Sequence, residues 1–187
     1  MSLRQLPNLI CIARIALVIP TALSIADGDY RLTLLLFGIA AFSDALDGFL
    51  AKRFGWTTEL GKILDPLADK VLLVTVFIML AVVGTAPAWL ATLVVARDIV
   101  IGFGALAYRW LFGPLHGRPT AVSKVNTAVQ LAYVLAVVAA RAFGWPPDPA
   151  VLVLGALVMV TTAISGIDYV NTYLRRARAA ARDRHPA

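Results

Sequence analysis

The sequence predicts an all-α integral membrane protein, a bundle of six transmembrane helices forming one domain over residues 1–187. Three observations predict it. Hydrophobic residues make up 60% of the chain and charged residues only 15%, whereas a soluble domain is about half apolar. The excess lies in continuous apolar blocks, not in the short alternating segments of an outer-membrane barrel. Clusters of Gly, Pro and Asp separate the blocks, and no linker or low-complexity stretch interrupts them.

The first block, near 7–26, carries Arg14 and lacks the layout of a cleaved signal peptide, so it reads as a retained helix. Asp27-Gly28-Asp29 ends it and opens a second block near 31–53. The third, near 62–84, stops at Gly84-Thr85-Ala86-Pro87, and the fourth covers 87–112. Phe112-Gly113-Pro114 and Gly117-Arg118-Pro119 form a longer loop before the fifth block at 121–143. Gly144-Trp145-Pro146-Pro147-Asp148-Pro149 then precedes a sixth near 149–174. Each block approaches the roughly 20 residues needed to cross a bilayer. Trp56, Trp89, Trp110 and Trp145 all fall near predicted ends, where tryptophan anchors to the membrane interface. Asp168 and Tyr169, in the sixth block, read as capping or interface residues.

Charge sets the orientation. One side of the predicted bundle carries Arg4, Lys52, Arg53, Lys62, Arg109, Arg118, Lys124 and the tail arginines 175, 176, 178, 182 and 184; the other carries Arg31 and Arg141. The positive-inside rule places both termini and the 52–62 loop in the cytoplasm. The basic tail, 175–187, reads as a helix extension lying on anionic headgroups. The same reading accounts for the net charge of +6 without a nucleic-acid partner. A single cysteine, Cys11, excludes an internal disulfide, and two histidines, His116 and His185, leave no set of ligands for a His/Cys zinc site. A metal here needs oxygen ligands, which suit magnesium, manganese or calcium.

One region offers them. It runs Asp44-Ala45-Leu46-Asp47-Gly48-Phe49-Leu50-Ala51-Lys52-Arg53 and continues as Gly61-Lys62-Ile63-Leu64-Asp65-Pro66-Leu67-Ala68-Asp69-Lys70. Asp44 and Asp47 share one helix face, and Asp65 and Asp69 share another. The short link makes the two helices antiparallel neighbours, so four carboxylates meet at the cytoplasmic depth of the membrane. A lone Asp at a helix centre costs ~2.5–3.5 kcal/mol on insertion scales, and four together repel. Divalent cations resolve both problems, and a pair of them forms a clamp suited to phosphoryl chemistry. Two other readings stand beside this one: helix caps or pairs with Lys52, Arg53, Lys62 and Lys70, and a divalent-cation transport site. The second lacks the repeated half common in transporters, since 87–187 holds no copy of the pattern. Gly48 and Ala51 follow Asp44 by four and seven residues, and Gly61 precedes Asp65 by four. These small residues leave room for a flat group near the backbone, or serve close helix packing.

These residues resemble the signature of the CDP-alcohol phosphotransferases, D-x2-D-G-x2-A-R-x8-G-x3-D-x3-D, at every position from Asp44 to Asp69 but one. Lys52 stands where the family has Arg, and Arg53 follows directly, so either is a candidate for the arginine's place at the nucleotide diphosphate. The resemblance implies that Asp44, Asp47, Asp65 and Asp69 hold two magnesium or manganese ions that polarise the diphosphate. It further implies that Gly48, Ala51 and Gly61 border the nucleotide, together with Asp44 and Asp47, and that Asp69 is the general base for the acceptor hydroxyl. A homodimer in a bacterial cytoplasmic membrane is the expected setting, with the active site facing the cytoplasm.

The remaining motifs are Leu6-Pro7-Asn8-Leu9 with Arg14, Ala96-Arg97-Asp98, Tyr108-Arg109, Arg118-Pro119-Thr120, and Ser123-Lys124-Val125-Asn126-Thr127 through Gln130. The first is shared widely in the family. The others resemble the cardiolipin synthases that use CDP-diacylglycerol. That subfamily transfers a phosphatidyl group to phosphatidylglycerol, giving cardiolipin and CMP. The alternative is transfer to glycerol 3-phosphate, as in phosphatidylglycerophosphate synthases, which place a second Lys where Asn126 stands. Arg97, Arg109, Arg118 and Lys124 are the candidate groups for a phosphate of acceptor or donor. Arg97 and Asp98 also read as a salt bridge facing the bundle interior, and Asn126 and Gln130 as interhelical glue.

Overall fold

The computed structural model describes residues 6–54, 61–112 and 120–183, excluding the side chains of residues 6–9, 44, 45, 47–52, 61–67, 108, 109, 111, 112, 173, 174 and 176–183. Six helices fill this range: α1 (Leu6–Ala26), α2 (Tyr30–Phe54), α3 (Gly61–Val82), α4 (Ala88–Phe112), α5 (Ala121–Phe143) and α6 (Asp148–Asp183). The described residues contain no strand. Number and order match the sequence reading, and the ends agree closely except at the last helix. There α6 continues past 174 through the basic tail to Asp183, the extension expected from its run of alanines and arginines.

Local chemistry sets the breaks. Gly28 and Gly84 both adopt φ of +74°, a left-handed conformation that costs glycine nothing. In each case the following amide reaches back five residues, Asp29 N to Ser24 O at 2.9 Å and Thr85 N to Leu80 O at 2.8 Å. These bonds satisfy carbonyls that the ends of α1 and α3 would leave bare. Asp29 then caps α2, its Oδ1 accepting from Leu32 N at 3.0 Å. Thr120 caps α5 in the same way, its Oγ1 accepting from Ser123 N at 3.2 Å.

Among the described residues, three helices are long and apolar enough to cross a membrane: Ala88–Ala107 within α4, Ala121–Phe143, and Asp148–Thr172 within α6. Ile10–Ala26 and Tyr30–Ser43 are shorter apolar helical stretches. The first ten residues of α3 hold Lys62, Asp65, Asp69 and Lys70, which leave it only a short apolar run from Val71 on. Polarity is distributed as in a membrane protein. Phe42, Phe103 and Leu152 point outward, while Thr33, Asn126, Gln130, Thr162 and Ser165 are buried. In lipid, polar side chains join helices and apolar ones meet the solvent. Trp89, Trp110 and Trp145 are exposed at or just beyond helix ends, as interface anchors are.

Two compact units emerge: residues 1–88 with 134–148, and residues 89–133 with 149–187. In the first, α1 packs against both α2 and α3. Cys11, Arg14, Thr21, Ser24 and Ile25 form the buried stripe of α1, and Ala68, Leu72, Leu73, Val76, Phe77 and Leu80 that of α3, each at helical spacing. Ser24 Oγ and Thr33 Oγ1 share a buried hydrogen bond of 2.9 Å between α1 and α2. In the second unit, Gly155 on α6 lets Tyr133 of α5 approach closely, since a Cβ there would sit 3.2 Å from the Tyr133 ring.

Candidate active site

In the first unit α2 runs unbroken through Asp44 and Asp47, and α3 through Asp65 and Asp69. At about 100° and 1.5 Å per residue, each pair stays on one side of its helix within roughly one turn. Gly48, Ala51, Lys52 and Arg53 continue α2 beyond the first pair, and Gly61 begins α3 one turn before the second. Arg53 is exposed. The side chains of Asp44, Asp47, Ala51, Lys52 and Asp65 lie outside the described residues, as do details at Gly48 and Gly61.

Asp69 is described, and it supplies the main geometric fact about the site. Its side chain is 51% exposed, while that of Arg14, its partner, is 1% exposed. Arg14 Nη1 donates to Asp69 Oδ1 at 2.6 Å, across 55 residues of sequence and from α1 to α3. A guanidinium in the apolar interior of a helix bundle needs an anion, and a charge-assisted bond of this length is a strong one. Asp69 lies four residues before Leu73 and seven before Val76, so it prolongs the edge of the buried stripe of α3 to where that stripe meets the outside. The sequence reading gave Arg14 no role at this site. The available signal was a single cation within an otherwise apolar block, which requires a counter-ion.

In the second unit Arg97 on α4 is buried. Its Nη1 donates to Asp98 Oδ1 at 2.7 Å, its Nη2 to Ser123 Oγ of α5 at 2.8 Å and also to Ser165 Oγ of α6. Tyr169 presents its ring 5.6 Å from the guanidinium carbon. This aromatic contact gives Tyr169 a place that the sequence left as an interface residue. Farther along, Asn126 Oδ1 accepts from Thr161 Oγ1 and Thr162 Oγ1, both at 2.9 Å, and Gln130 Nε2 donates to Thr162 Oγ1 at 3.4 Å. These bonds make Asn126 and Gln130 interhelical ties between α5 and α6. Lys124 is exposed near the start of α5. Arg109 lies on α4 with its side chain outside the described residues, and Arg118 lies outside them altogether.

Comparison with known proteins adds identity to this geometry. Residues 4–167 match the family model described as CDP-alcohol phosphatidyltransferase. A cardiolipin synthase (CMP-forming) of Rattus norvegicus is 34% identical over 182 residues, covering 88% of this chain and 60% of the relative. The human protein of that name is 32% identical with the same coverage. A probable phosphatidylglycerophosphate synthase of Mycobacterium tuberculosis is 30% identical over 148 residues, covering 75% of this chain and 65% of the relative. The chain thus spans about three-fifths of the length of the cardiolipin synthases it matches.

Proposed function

Because this chain belongs to the CDP-alcohol phosphatidyltransferase family, we propose that it transfers a phosphatidyl group from CDP-diacylglycerol to a hydroxyl of phosphatidylglycerol, giving cardiolipin and CMP. The observation that carries the acceptor is the similarity to proteins named cardiolipin synthase (CMP-forming) over 88% of the chain. Membership of an enzyme family sets aside the cation-transporter reading. The working form is an integral membrane homodimer in a bacterial cytoplasmic membrane, with termini and active site on the cytoplasmic side.

In this reading Asp69 takes the proton of the acceptor hydroxyl as its oxygen attacks the lipid-side phosphorus. The bond from that phosphorus to the bridging oxygen breaks, and CMP leaves with the bridging oxygen. The half-exposed carboxylate of Asp69 suits a group that must meet a substrate. Asp44, Asp47, Asp65 and Asp69 are an all-carboxylate set on two helices, the donor chemistry that magnesium or manganese prefers. When bound there, such ions would supply Lewis-acid stabilisation of charge on the diphosphate. Gly48, Ala51 and Gly61 leave room beside the cytidine nucleotide, and Lys52 or Arg53 meets the diphosphate. Arg109, Arg118 and Lys124 serve the acceptor's phosphodiester, while Arg97, closed by Asp98, Ser123 and Ser165, ties α4 to α5 and α6.

The second reading is transfer to glycerol 3-phosphate, favoured by the match to the probable phosphatidylglycerophosphate synthase. Against it stands Asn126, buried and tied to Thr161 and Thr162. That position offers no cation for a terminal phosphate. The test supplies purified protein, CDP-diacylglycerol and magnesium with each acceptor separately, and follows CMP and the lipid product. Cardiolipin from phosphatidylglycerol, with little product from glycerol 3-phosphate, is expected. Phosphatidylglycerophosphate formation with phosphatidylglycerol inert overturns the acceptor and leaves the family chemistry intact.

A further inference from the structure

We infer that Arg14 is the positioning residue of Asp69, fixing from α1 the direction in which the proposed general base presents its carboxylate from α3. The inference rests on the reading of Asp69 given above, and on an asymmetry within one ion pair. The carboxylate is half exposed, so packing alone does not hold it in one rotamer. The guanidinium is walled in, with 1% of its side chain exposed, and the buried stripe of α1 continues on either side of it through Cys11 and Thr21. A carboxylate turning away from Arg14 would leave that buried cation without this partner. The short bond between Nη1 and Oδ1 therefore holds Asp69 against a rigid reference on another helix. With Oδ1 committed, the orientation of Oδ2 is set as well.

Such an arrangement matters for a base. Proton removal needs heavy atoms within about 3 Å and well aligned, and a misplacement of about 1 Å can cost on the order of a hundredfold in rate. Arg14 touches no reacting atom. It acts through Asp69, and its loss should fall on turnover, leaving donor affinity in place. Lysine keeps the positive charge but replaces a planar fork by a point donor of different reach. Arg14→Lys thus separates charge balance, which it preserves, from orientation, which it does not.

The experiment measures kcat and the KM for CDP-diacylglycerol by CMP release, together with thermal unfolding in detergent, for wild type, Arg14→Lys and Arg14→Gln. Expected for Arg14→Lys are a melting temperature close to wild type, a KM within about twofold and a kcat reduced at least about tenfold, the pattern of an interaction made only in the transition state. For Arg14→Gln, kcat should fall on the order of a hundredfold with a lower melting temperature. Should Arg14→Gln fail to fold, the lysine variant, which retains the counter-charge, carries the test alone. A folded Arg14→Lys with full kcat overturns the inference. So does a loss confined to KM, which would place Arg14 with the donor. Whichever alcohol the wild type uses, the split between kcat and KM is read on that alcohol, so an error in the acceptor shows separately in the wild-type product.

Discussion

The two buried arginines of this molecule are held in opposite ways. Arg97 is paired with its sequence neighbour Asp98, whose side chain is 12% exposed, and its remaining bonds go to serines of α5 and α6. All of that charge is settled inside the second unit. Arg14 is more deeply buried, yet its partner Asp69 comes from another helix and is 51% exposed. A buried cation whose counter-ion is also buried ties helices together. One whose counter-ion reaches the outside presents a charge there, and that charge is available for chemistry. The difference lies in the partner: Asp98 closes its pair inside the helices, whereas Asp69 carries its charge to the outside.

The comparison breaks first on metal. If the outward charge belongs to a cluster of four aspartates, a chelator should remove all turnover, and magnesium or manganese should restore it. Zinc should not be the best ion, because the four aspartates offer oxygen ligands, which suit magnesium or manganese better. The closed network around Arg97 needs no cation, so the melting temperature of that part should persist in chelator. Full activity in excess chelator would sink the metal clamp.

Next comes Asp69→Asn, with CMP release expected to fall by ~10²–10⁴-fold, the usual contribution of a general base. The ion pair adds a second consequence: the variant leaves Arg14 facing a neutral amide, at a stability cost of about 1–3 kcal/mol. Thermal unfolding of the double variant Arg14→Gln/Asp69→Asn should recover part of that loss with no recovery of activity. If Asp69→Asn retains more than about a tenth of turnover, Asp69 is not the base.

Arg97→Gln should show the reverse balance. It removes a buried charge that Asp98 needs, so unfolding should move by about 3 kcal/mol or more, while the folded fraction keeps its kcat within a few-fold. A stable Arg97→Gln that loses turnover would return Arg97 to the phosphate-binding groups and remove the contrast with Arg14.

Much of the fold was legible because lipid imposes length and punctuation. Gly28, Gly84 and Gly144 closed the helices where the sequence placed breaks, and the alanine-rich tail continued α6 to Asp183. The helices that carry the aspartate signature were legible too, α2 through Asp44 and Asp47 and α3 through Asp65 and Asp69, because their apolar blocks and the breaks around them mark their extent. The pairing of Arg14 with Asp69 was not, since 55 residues separate them and no local periodicity says which anion a lone cation will meet. Nor was the Tyr169 ring beside Arg97, because packing between helices decides it. Asn126 and Gln130 show an intermediate case. Their spacing of four predicts a shared face, but only the positions of Thr161 and Thr162 show that this face is internal.

The smallest expected effect concerns the departure from the family signature, and it carries the comparison to a third cation. Lys52 and Arg53 both lie on α2 beyond Asp47, and Arg53 is exposed. The exposed Arg53 needs no buried partner of the kind that Arg14 and Arg97 have, and a role for either cation at the diphosphate would be electrostatic. One charge-assisted bond to a phosphate contributes about 1.5–3 kcal/mol, and about 1.4 kcal/mol is tenfold in affinity. Lys52→Ala should therefore raise the KM for CDP-diacylglycerol about tenfold or somewhat more, with little change in kcat or unfolding. Lys52→Arg should be tolerated, since it installs the residue of the signature, whose planar fork binds phosphate at least as well. Steady-state kinetics of Lys52→Ala beside Arg53→Ala decides between them. An unchanged KM in the first with a raised KM in the second moves the role one residue along α2, about 100° around the helix, and so names the side of α2 on which the diphosphate lies.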